Sequence, residues 1–517
     1  MRQSVSPPSH VGLLMFLLLI LALASLLGAV GCGGSPSAGG GGGGAGGGGH
    51  NVPPCTFTTP NAGGTTSGAG LNTQISDLYF GMHLNSTNAP WPSLSFGSQR
   101  LWDSGVAWSQ IESSSGAYDW TLMDTWLSDA HTHGADVLYN LARTPTWASS
   151  GPTDSSCIDS SRNGPGQCHP PVDLNSDGTG TNAIWISWVT NVAQHSQATK
   201  AAGGTGISYY EIWNEWNASV FWVGTTEQLV RMEQDARCIV EGPPAGMRCN
   251  ANSLFPSGTK LDASAKIVSP SPVGAHPRLT AVADSLTSYF QTQVDGHAGG
   301  SFSDVIGFHG YVGTGSATNG IAVPCPTPED VNTVIANMNN NPTVSAGMAG
   351  KPLFNTEGGW SKADDEGFID EDRQAAFLPR YLLLQESANV GRVYWYAWDS
   401  KKLASLYNDV TKTTTKAATA YAEVNKWSVG ATLSAPCTAV GTVWTCGFKR
   451  ANGYLGLAVW DAGKDCTSSS CPTSSFTIPG GAAYTEYRDV AGNVTSLVGG
   501  AVQIGAKPIL LETGPLP

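Results

Sequence analysis

Between Leu78 and Trp398 short apolar runs recur, each ending at a polar or charged residue and mostly followed by a longer stretch with helical spacing. Eight of these runs read as strands. They cover Leu78 to Met82 before His83, Gln99 to Trp102 before Asp103, and Asp136 to Leu141 before Arg143. Next come Tyr209 to Trp213 before Asn214-Glu215, Lys266 to Ser269 before a Pro-rich turn, and Val305 to Phe308 before His309-Gly310-Tyr311. Leu353 to Thr356 before Glu357 and Arg392 to Trp398 before Asp399 complete the set. Between them, Thr121 to His133 carries Leu122, Trp126 and Leu127 at helical spacing. Thr225 and Gln228 form a capping box for a helix through Val240, and Asp370 to Ser387 places Phe377, Tyr381 and Leu384 on one face. Eight strand–helix units predict an α/β fold closed into a (β/α)8 TIM barrel over residues 71–428. Beyond Trp427 short β-rich runs separated by Gly and Asn turns predict a small antiparallel, sandwich-like β-domain over 429–517.

Two of the strand ends stop at a glutamate beside aromatic residues. Glu215 sits between Trp213 and Trp216, and Glu357 is followed by Gly358-Gly359-Trp360. Catalytic groups of such barrels project from the C-terminal ends of strands, and apolar surroundings raise a carboxyl pKa so that it can act as an acid. Glu211 also breaks the pattern, being polar where a buried strand should be apolar. Arg100 reads either as a functional cation or as an ion-pair partner in the core, and His83 and His309 either as site residues or as buried histidines.

The formal net charge is −13 and no basic run occurs, which argues against nucleic acid or an anionic membrane surface as partner. The 17 tryptophans suit sugar stacking as well as the core. Arg2, the apolar run 11–30 and Cys32 read as an export signal over 1–31 that resembles the lipoprotein type, with Cys32 as the lipidated residue, or else as an uncleaved membrane-spanning anchor. Residues 32–70 read as a Gly-rich linker. Setting Cys32 aside leaves ten of the 11 cysteines. Close spacing suggests Cys157 with Cys168, Cys238 with Cys249, Cys437 with Cys446 and Cys466 with Cys471, leaving Cys55 and Cys325 for a long-range pair. Such a framework implies an oxidising compartment, and no CxxC pair supports zinc. Asp173, Asn175 and Asp177 before Gly178 hint at a calcium loop, but the terminal Glu of that motif is missing.

Taken together, these residues resemble the large clan of glycoside hydrolases built on (β/α)8 barrels. In that clan the acid/base glutamate follows an asparagine at the end of strand four, as Glu215 follows Asn214, and the nucleophile ends strand seven, as Glu357 does. Arg100 matches the clan's strand-two arginine, His309-Gly310-Tyr311 its His-x-Tyr element, and Trp395 or Trp398 its strand-eight tryptophan under the sugar. Within the clan, Tyr118-Asp119-Trp120 and Thr144-Pro145-Thr146-Trp147-Ala148 look most like family 39, which includes β-xylosidases, with cellulase-like family 5 close behind. The resemblance implies a retaining glycosidase on β-linked carbohydrate, without metal or cofactor, and the N-terminal segment adds export and a tether. Arg100 and Tyr311 would keep Glu357 ionised, Asn214 would hold the sugar 2-hydroxyl, and His309, Trp395, Trp398 and His83 would line the substrate. The alternative is a surface glycan-binding protein that keeps the barrel without turnover.

Overall fold

The computed structural model describes residues 64–65, 71, 73–253, 260–274, 278–312, 327–360, 370–400, 405–480 and 483–516. Each of the eight expected runs forms a strand, and all eight belong to one parallel sheet: β1 (Phe80–His83), β2 (Ser98–Leu101), β3 (Asp136–Leu141), β4 (Tyr209–Ile212), β5 (Lys266–Val268), β6 (Ile306–His309), β7 (Leu353–Gly358) and β8 (Val390–Trp395). The order is β6-β7-β8-β1-β2-β3-β4-β5, and parallel bridges Val268–Val305 and Val273–His309 join the two ends. The sheet is therefore a closed barrel.

Period-two alternation decides which side chains face its interior. On β8, Tyr394 packs inward with Leu138, Val268, Val305 and Phe354. Arg392, two residues earlier, lies 4.5 Å over the Tyr209 ring and pairs with Asp136 at 2.7 Å. Gly81 on β1 leaves the room that Tyr394 needs, since a Cβ there would enter its ring. The odd positions point outward: Trp395 meets Phe377 and Tyr381.

Among the described residues, seven long helices clothe the barrel: α1 (Thr121–His133), α2 (Ala183–Ala201), α3 (Thr226–Val240), α4 (Ala281–Gln291), α5 (Asp330–Asn340), α6 (Glu371–Ser387) and α7 (Lys416–Ser428). Thr225 caps α3 through the expected box with Gln228. The connection from β1 to β2 contains no helix, because Pro90 and Pro92 withhold the backbone donors a helix would need.

The C-terminal part holds β9 (Thr432–Val440), β10 (Val443–Lys449), β11 (Leu455–Asp461), β12 (Ser474–Thr477), β13 (Glu486–Asp489), β14 (Val494–Ser496), β15 (Ala501–Ile504) and β16 (Ile509–Glu512). One antiparallel sheet runs β9-β10-β11-β16-β13-β14, and β12 pairs with β15. The two sheets share an apolar cluster that includes Val459, Ile504, Leu511 and Phe476. Gly64–Thr65, expected in the linker, adds an edge strand beside β9. This unit rests on the outer helices: the Trp460 indole donates to Glu329 at 2.9 Å, and Arg373 pairs with Asp465.

The four close cysteine pairs are disulfides: Cys157–Cys168, Cys238–Cys249, Cys437–Cys446 and Cys466–Cys471. The apolar run 11–30 and Cys32, Cys55 and Cys325 lie outside the described residues. Among the described residues no helix is long and apolar enough to cross a membrane.

Candidate active site

Four strand ends meet over the mouth of the barrel. On β4, Tyr209 and Glu211 point inward, and the chain then turns sharply. Trp213 (φ 63°) and Glu215 (φ 43°) both adopt the left-handed region, which is costly for residues with a Cβ. The tryptophans hold that turn in place. The Trp213 indole donates to the Phe221 carbonyl at 2.8 Å and meets Trp222 edge-on, while Trp216 donates to the Pro270 carbonyl at 3.3 Å.

On β7, Asn355 points outward to Tyr381 and Gln385, and Thr356 reaches the Ser271 hydroxyl at 3.0 Å. The pairing register slips on both sides at this end of the strand. Such a bulge re-aims a side chain at a barrel rim, and here it carries Glu357 into the mouth. Gly358 makes the slip possible, since a Cβ there would collide with the Tyr381 hydroxyl.

Arg100, fully buried on β2, ties these ends together. Its Nε lies 2.7 Å from Glu211 Oε2, its Nη1 2.9 Å from Glu357 Oε2, and its Nη2 2.8 Å from Asn214 Oδ1. Glu211 also accepts from Asn140 Nδ2 at 2.8 Å and from the Ser271 hydroxyl at 2.5 Å. The Tyr311 hydroxyl donates to Glu357 Oε1 at 2.8 Å.

His309 Nδ1 lies 2.9 Å from Glu215 Oε1, and its Nε2 lies 3.4 Å from Arg100 Nη2. A guanidinium only donates, so Nε2 is the bare nitrogen and Nδ1 carries the proton toward Glu215. Burial, with Arg100 nearby, pushes the His309 pKa well down, which keeps the ring neutral.

The two glutamates are dressed unequally. Burial raises Glu215 far above the ordinary carboxyl range, and the Glu357 charge adds to this. Burial also raises Glu357, but Arg100 and the Tyr311 hydrogen bond pull back and hold it at about 7. The shared proton therefore belongs on Glu215. The cause is burial first and the neighbouring charge second.

Glu215, His309 and Glu357 each place a possible ligand atom within 4.8 Å of the others. A cation there would face the Arg100 guanidinium and would have to displace the His309 proton. The set therefore fits a proton network better than a metal. In the second such cluster, Asp154, Cys157, Cys168 and His169, both sulfurs are spent in a disulfide. In the calcium-like loop, Asp173 Oδ2 accepts the Ala183 N–H at 2.5 Å at the start of α2, and Asp177 closes a turn on Thr179.

No protein-family profile matches this chain, and no curated protein does. Among solved structures it is similar to a glucosidase from Croceicoccus marinus, with a TM-score of 0.50 and 14% identity over 87% of this chain and 98% of that one. It is equally similar to CelM2, a bifunctional glucanase-xylanase from a metagenome library, at a TM-score of 0.50 and 16% identity, again over 87% and 98%. A GH30 endoxylanase from Clostridium papyrosolvens aligns at a TM-score of 0.48 and 12% identity, over 87% and 98%. At such identities the likeness is one of fold.

Of the residues expected in the site, Arg100, Asn214, Glu215, His309, Tyr311 and Glu357 form one hydrogen-bonded cluster. His83 stands beside it, with Nε2 3.0 Å from the Thr356 carbonyl. The two tryptophans are placed elsewhere. Trp395 faces outward onto α6, and Trp398 donates to the Pro90 carbonyl at 3.0 Å and stacks on Tyr407. The aromatic side chain on the site's side of β8 is Tyr396, whose ring lies 4.9 Å from that of His83. Alternation from Tyr394 could have identified it. Asp103 was legible only as a strand end; it binds Arg143 at 2.7 Å and receives the Tyr396 hydroxyl at 2.7 Å. Asn140 and Ser271, which complete the Glu211 shell, carried no sequence signal.

The family-39-like segments brace helix α2 and a neighbouring loop rather than the site. Trp120 stacks on Trp188 and His195, and Trp147 donates to the Glu112 carbonyl at 3.0 Å.

Proposed function

We propose that this protein is a retaining glycoside hydrolase of β-linked glycans, with Glu357 as nucleophile and Glu215 as acid/base. The observation that carries this reading is the unequal dressing of two carboxyls whose nearest oxygens lie within 4.8 Å. That spacing leaves no room for a water between carboxyl and sugar, which favours a covalent intermediate over direct displacement.

In the first step a Glu357 oxygen bonds to the anomeric carbon as the glycosidic C–O bond breaks, and Glu215 gives its proton to the departing oxygen. In the second step Glu215, now a carboxylate, takes a proton from water. The hydroxide oxygen bonds to the anomeric carbon, Glu357 leaves, and the anomeric configuration is restored. Arg100 and Tyr311 stabilise Glu357 as an anion, both before attack and on departure. His309 orients Glu215. The Asn214 Nδ2 is buried without a partner, as a donor awaiting the sugar 2-hydroxyl would be. The mechanism calls on neither metal nor organic cofactor.

Four disulfides support export, and Cys32 after its apolar run supports a lipid tether. We place the catalytic unit at 71–428 and the β-domain at 429–517. The structure-level neighbours favour no choice between family 39 and family 5, so the sugar is assigned by assay. Digestion of a β-glycan panel, with proton NMR of the first-formed anomer, tests the reading. Release of reducing sugar with retained configuration is expected. Inversion, or no release from any glycan, overturns it.

A further inference from the structure

The side of the mouth formed by β1, β2 and β8 has a hydrogen-bond polarity that the chemistry of its partners fixes. The Thr356 carbonyl can only accept, so His83 Nε2 carries the proton and Nδ1 is bare. That Nδ1 is buried without a partner on a side chain 1% exposed. The Asp103 carboxylate can only accept, so the Tyr396 hydroxyl spends its proton there. The Tyr396 oxygen must then accept from Asn85 Nδ2, at 3.1 Å, which leaves Asn85 Oδ1 facing away, buried and unpartnered. Asp103 itself holds one donor on each oxygen, Arg143 on one and Tyr396 on the other, and keeps 23% of its side chain exposed while Arg143 keeps 7%. Three acceptors with spare capacity thus surround one tyrosine.

The wall adjoins the chemistry. His83 is bound to the carbonyl of the residue before Glu357. The Asp103 charge acts on both catalytic glutamates, raising each. Arg100 and Arg143 flank the Trp102 ring, at 5.9 Å and 4.3 Å. Both are already paired, Arg100 with Glu211 and Glu357, Arg143 with Asp103. Arg143 Nε is buried without a partner, so among the described residues this wall offers a ligand acceptors, negative charge and one donor, the last on a guanidinium already paired with Asp103.

We propose that His83, Asn85 and Asp103 form a hydroxyl-reading wall that accepts hydrogen bonds from the sugar seated over Glu357, selecting a neutral, hydroxyl-rich glycoside and rejecting a uronic acid. The assignment rests on the glycosidase reading and names its substrate class. A sugar hydroxyl brings the proton that each of these atoms lacks. A sugar carboxylate brings more acceptors and a second negative charge, and among the described residues both guanidiniums of this wall are already paired with carboxylates.

The test uses the full chain and a matched set of aryl β-glycosides. The set holds the neutral parent cleaved fastest, its monodeoxy analogues one position at a time, and the uronic acid of the same configuration. For the wild type, loss of at least one hydroxyl other than the 2-hydroxyl lowers kcat/KM about 100-fold or more, because a site built for that hydroxyl is left unpaired. The uronoside falls by a similar factor. In Asp103→Asn and, separately, Asn85→Ala, the parent slows and the same deoxy analogue is penalised by less than about tenfold. Asn85→Ala leaves the Arg143–Asp103 pair intact, so it reads the wall even where Asp103→Asn folds poorly. Turnover without discrimination in the wild type, full discrimination in both variants, or a uronoside cleaved as fast as its neutral parent overturns the wall and leaves the glycosidase standing. A wild type inert on every glycoside removes the reading beneath it as well.

Discussion

Arg100 Nε lies 2.7 Å from Glu211 Oε2, and both side chains are wholly out of solvent. The guanidinium that faces Glu357 is thus already half neutralised from below. A lone buried cation at 2.9 Å would drive Glu357 far toward the anion and blunt it as a nucleophile. With its charge divided, Arg100 offsets only part of the burial penalty, and Glu357 rests at about 7. Glu211 thus shares the Arg100 charge with Glu357.

The first prediction separates the two glutamates. Glu357→Gln removes the group that must bond to the anomeric carbon, so turnover falls on the order of a thousand-fold or more on every substrate. Glu215→Ala removes a proton donor and matters only as much as the leaving group needs one. It costs natural glycans about 100-fold or more and spares aryl glycosides with acidic phenols. Azide then speeds the Glu215→Ala variant, because it attacks the glycosyl-enzyme without a base. Steady-state kinetics on both substrate types check this; equal losses in both variants with no azide effect would reverse the roles.

The second prediction concerns pH. The rising limb of kcat/KM is the loss of the first proton from the pair, from Glu357, near pH 7. The falling limb belongs to Glu215, which lies higher because its burial is not relieved by Arg100 to the same extent. The profile is a bell with its optimum on the alkaline side of 7. A rising limb at the ordinary carboxyl value near 4.5 would contradict the structure.

Stability carries the same signature. Folding raises Glu357 from 4.5 to about 7, so the folded state holds a proton that the unfolded chain has released. That contribution is complete below about pH 4.5 and is lost as pH rises through 7. The amide introduced by Glu357→Gln mimics the protonated carboxyl at every pH. The Tm of Glu357→Gln minus that of the wild type should therefore grow between pH 5 and 8, as measured by calorimetry; a constant or shrinking difference would refute the buried-charge account.

Much of this architecture was legible because barrel strands are buried on both faces and stand out as apolar runs with polar ends. Asp136 to Leu141 was readable to the residue. The two glutamates proposed as catalytic stood out for the same reason: each ends such a run. What escaped depended on partners distant in sequence. Glu211 was visible as an anomaly, yet its meaning lies in Arg100, Asn140 and Ser271. Trp395 and Trp398 looked interchangeable as site residues. The alternation on β8 turns Trp395 out, the chain leaves the sheet before Trp398, and Tyr396 is left facing inward. The edge strand Gly64–Thr65 lies in a composition that reads as linker, and only pairing with β9 makes it a strand.

The disulfide Cys157–Cys168 predicts a link between redox state and activity. It closes an 11-residue separation inside the loop from β3 to α2. That loop is stitched to the one after Glu215 by backbone bonds Ile158–Val220 and Val223–Cys168, both at 3.0 Å. Removing the bridge in Cys157→Ser/Cys168→Ser costs about 3 kcal/mol if the native loop is unstrained. Its effect should concentrate on kcat, because the freed loop is bonded to the segment that follows the strained Glu215 turn. Unchanged kcat alongside a lowered Tm would mean the bridge serves stability alone.

The last prediction returns to Glu211. Three donors converge on its carboxylate: Arg100 Nε, Asn140 Nδ2 and the Ser271 hydroxyl. Glu211→Gln keeps the shape, and its amide can face Ser271 only if that hydroxyl turns from donor to acceptor, while the substitution removes the charge that balances Arg100. Breaking one side of a buried pair costs about 3–5 kcal/mol, so the Tm should fall clearly. The electrostatic consequence is separate and has the opposite sign for Glu357. Arg100 now acts undivided on the nucleophile, so the Glu357 pKa drops and the rising limb of kcat/KM moves to lower pH. Glu211→Ala loses the carboxylate too, but it also leaves a cavity and frees Arg100 to move, so it should destabilise without a comparable displacement of that limb. A pH profile of Glu211→Gln, taken well below its Tm, reads the charge effect alone. An unmoved limb, with only stability lost, would make Glu211 a structural plug and return the tuning of Glu357 to burial and Tyr311.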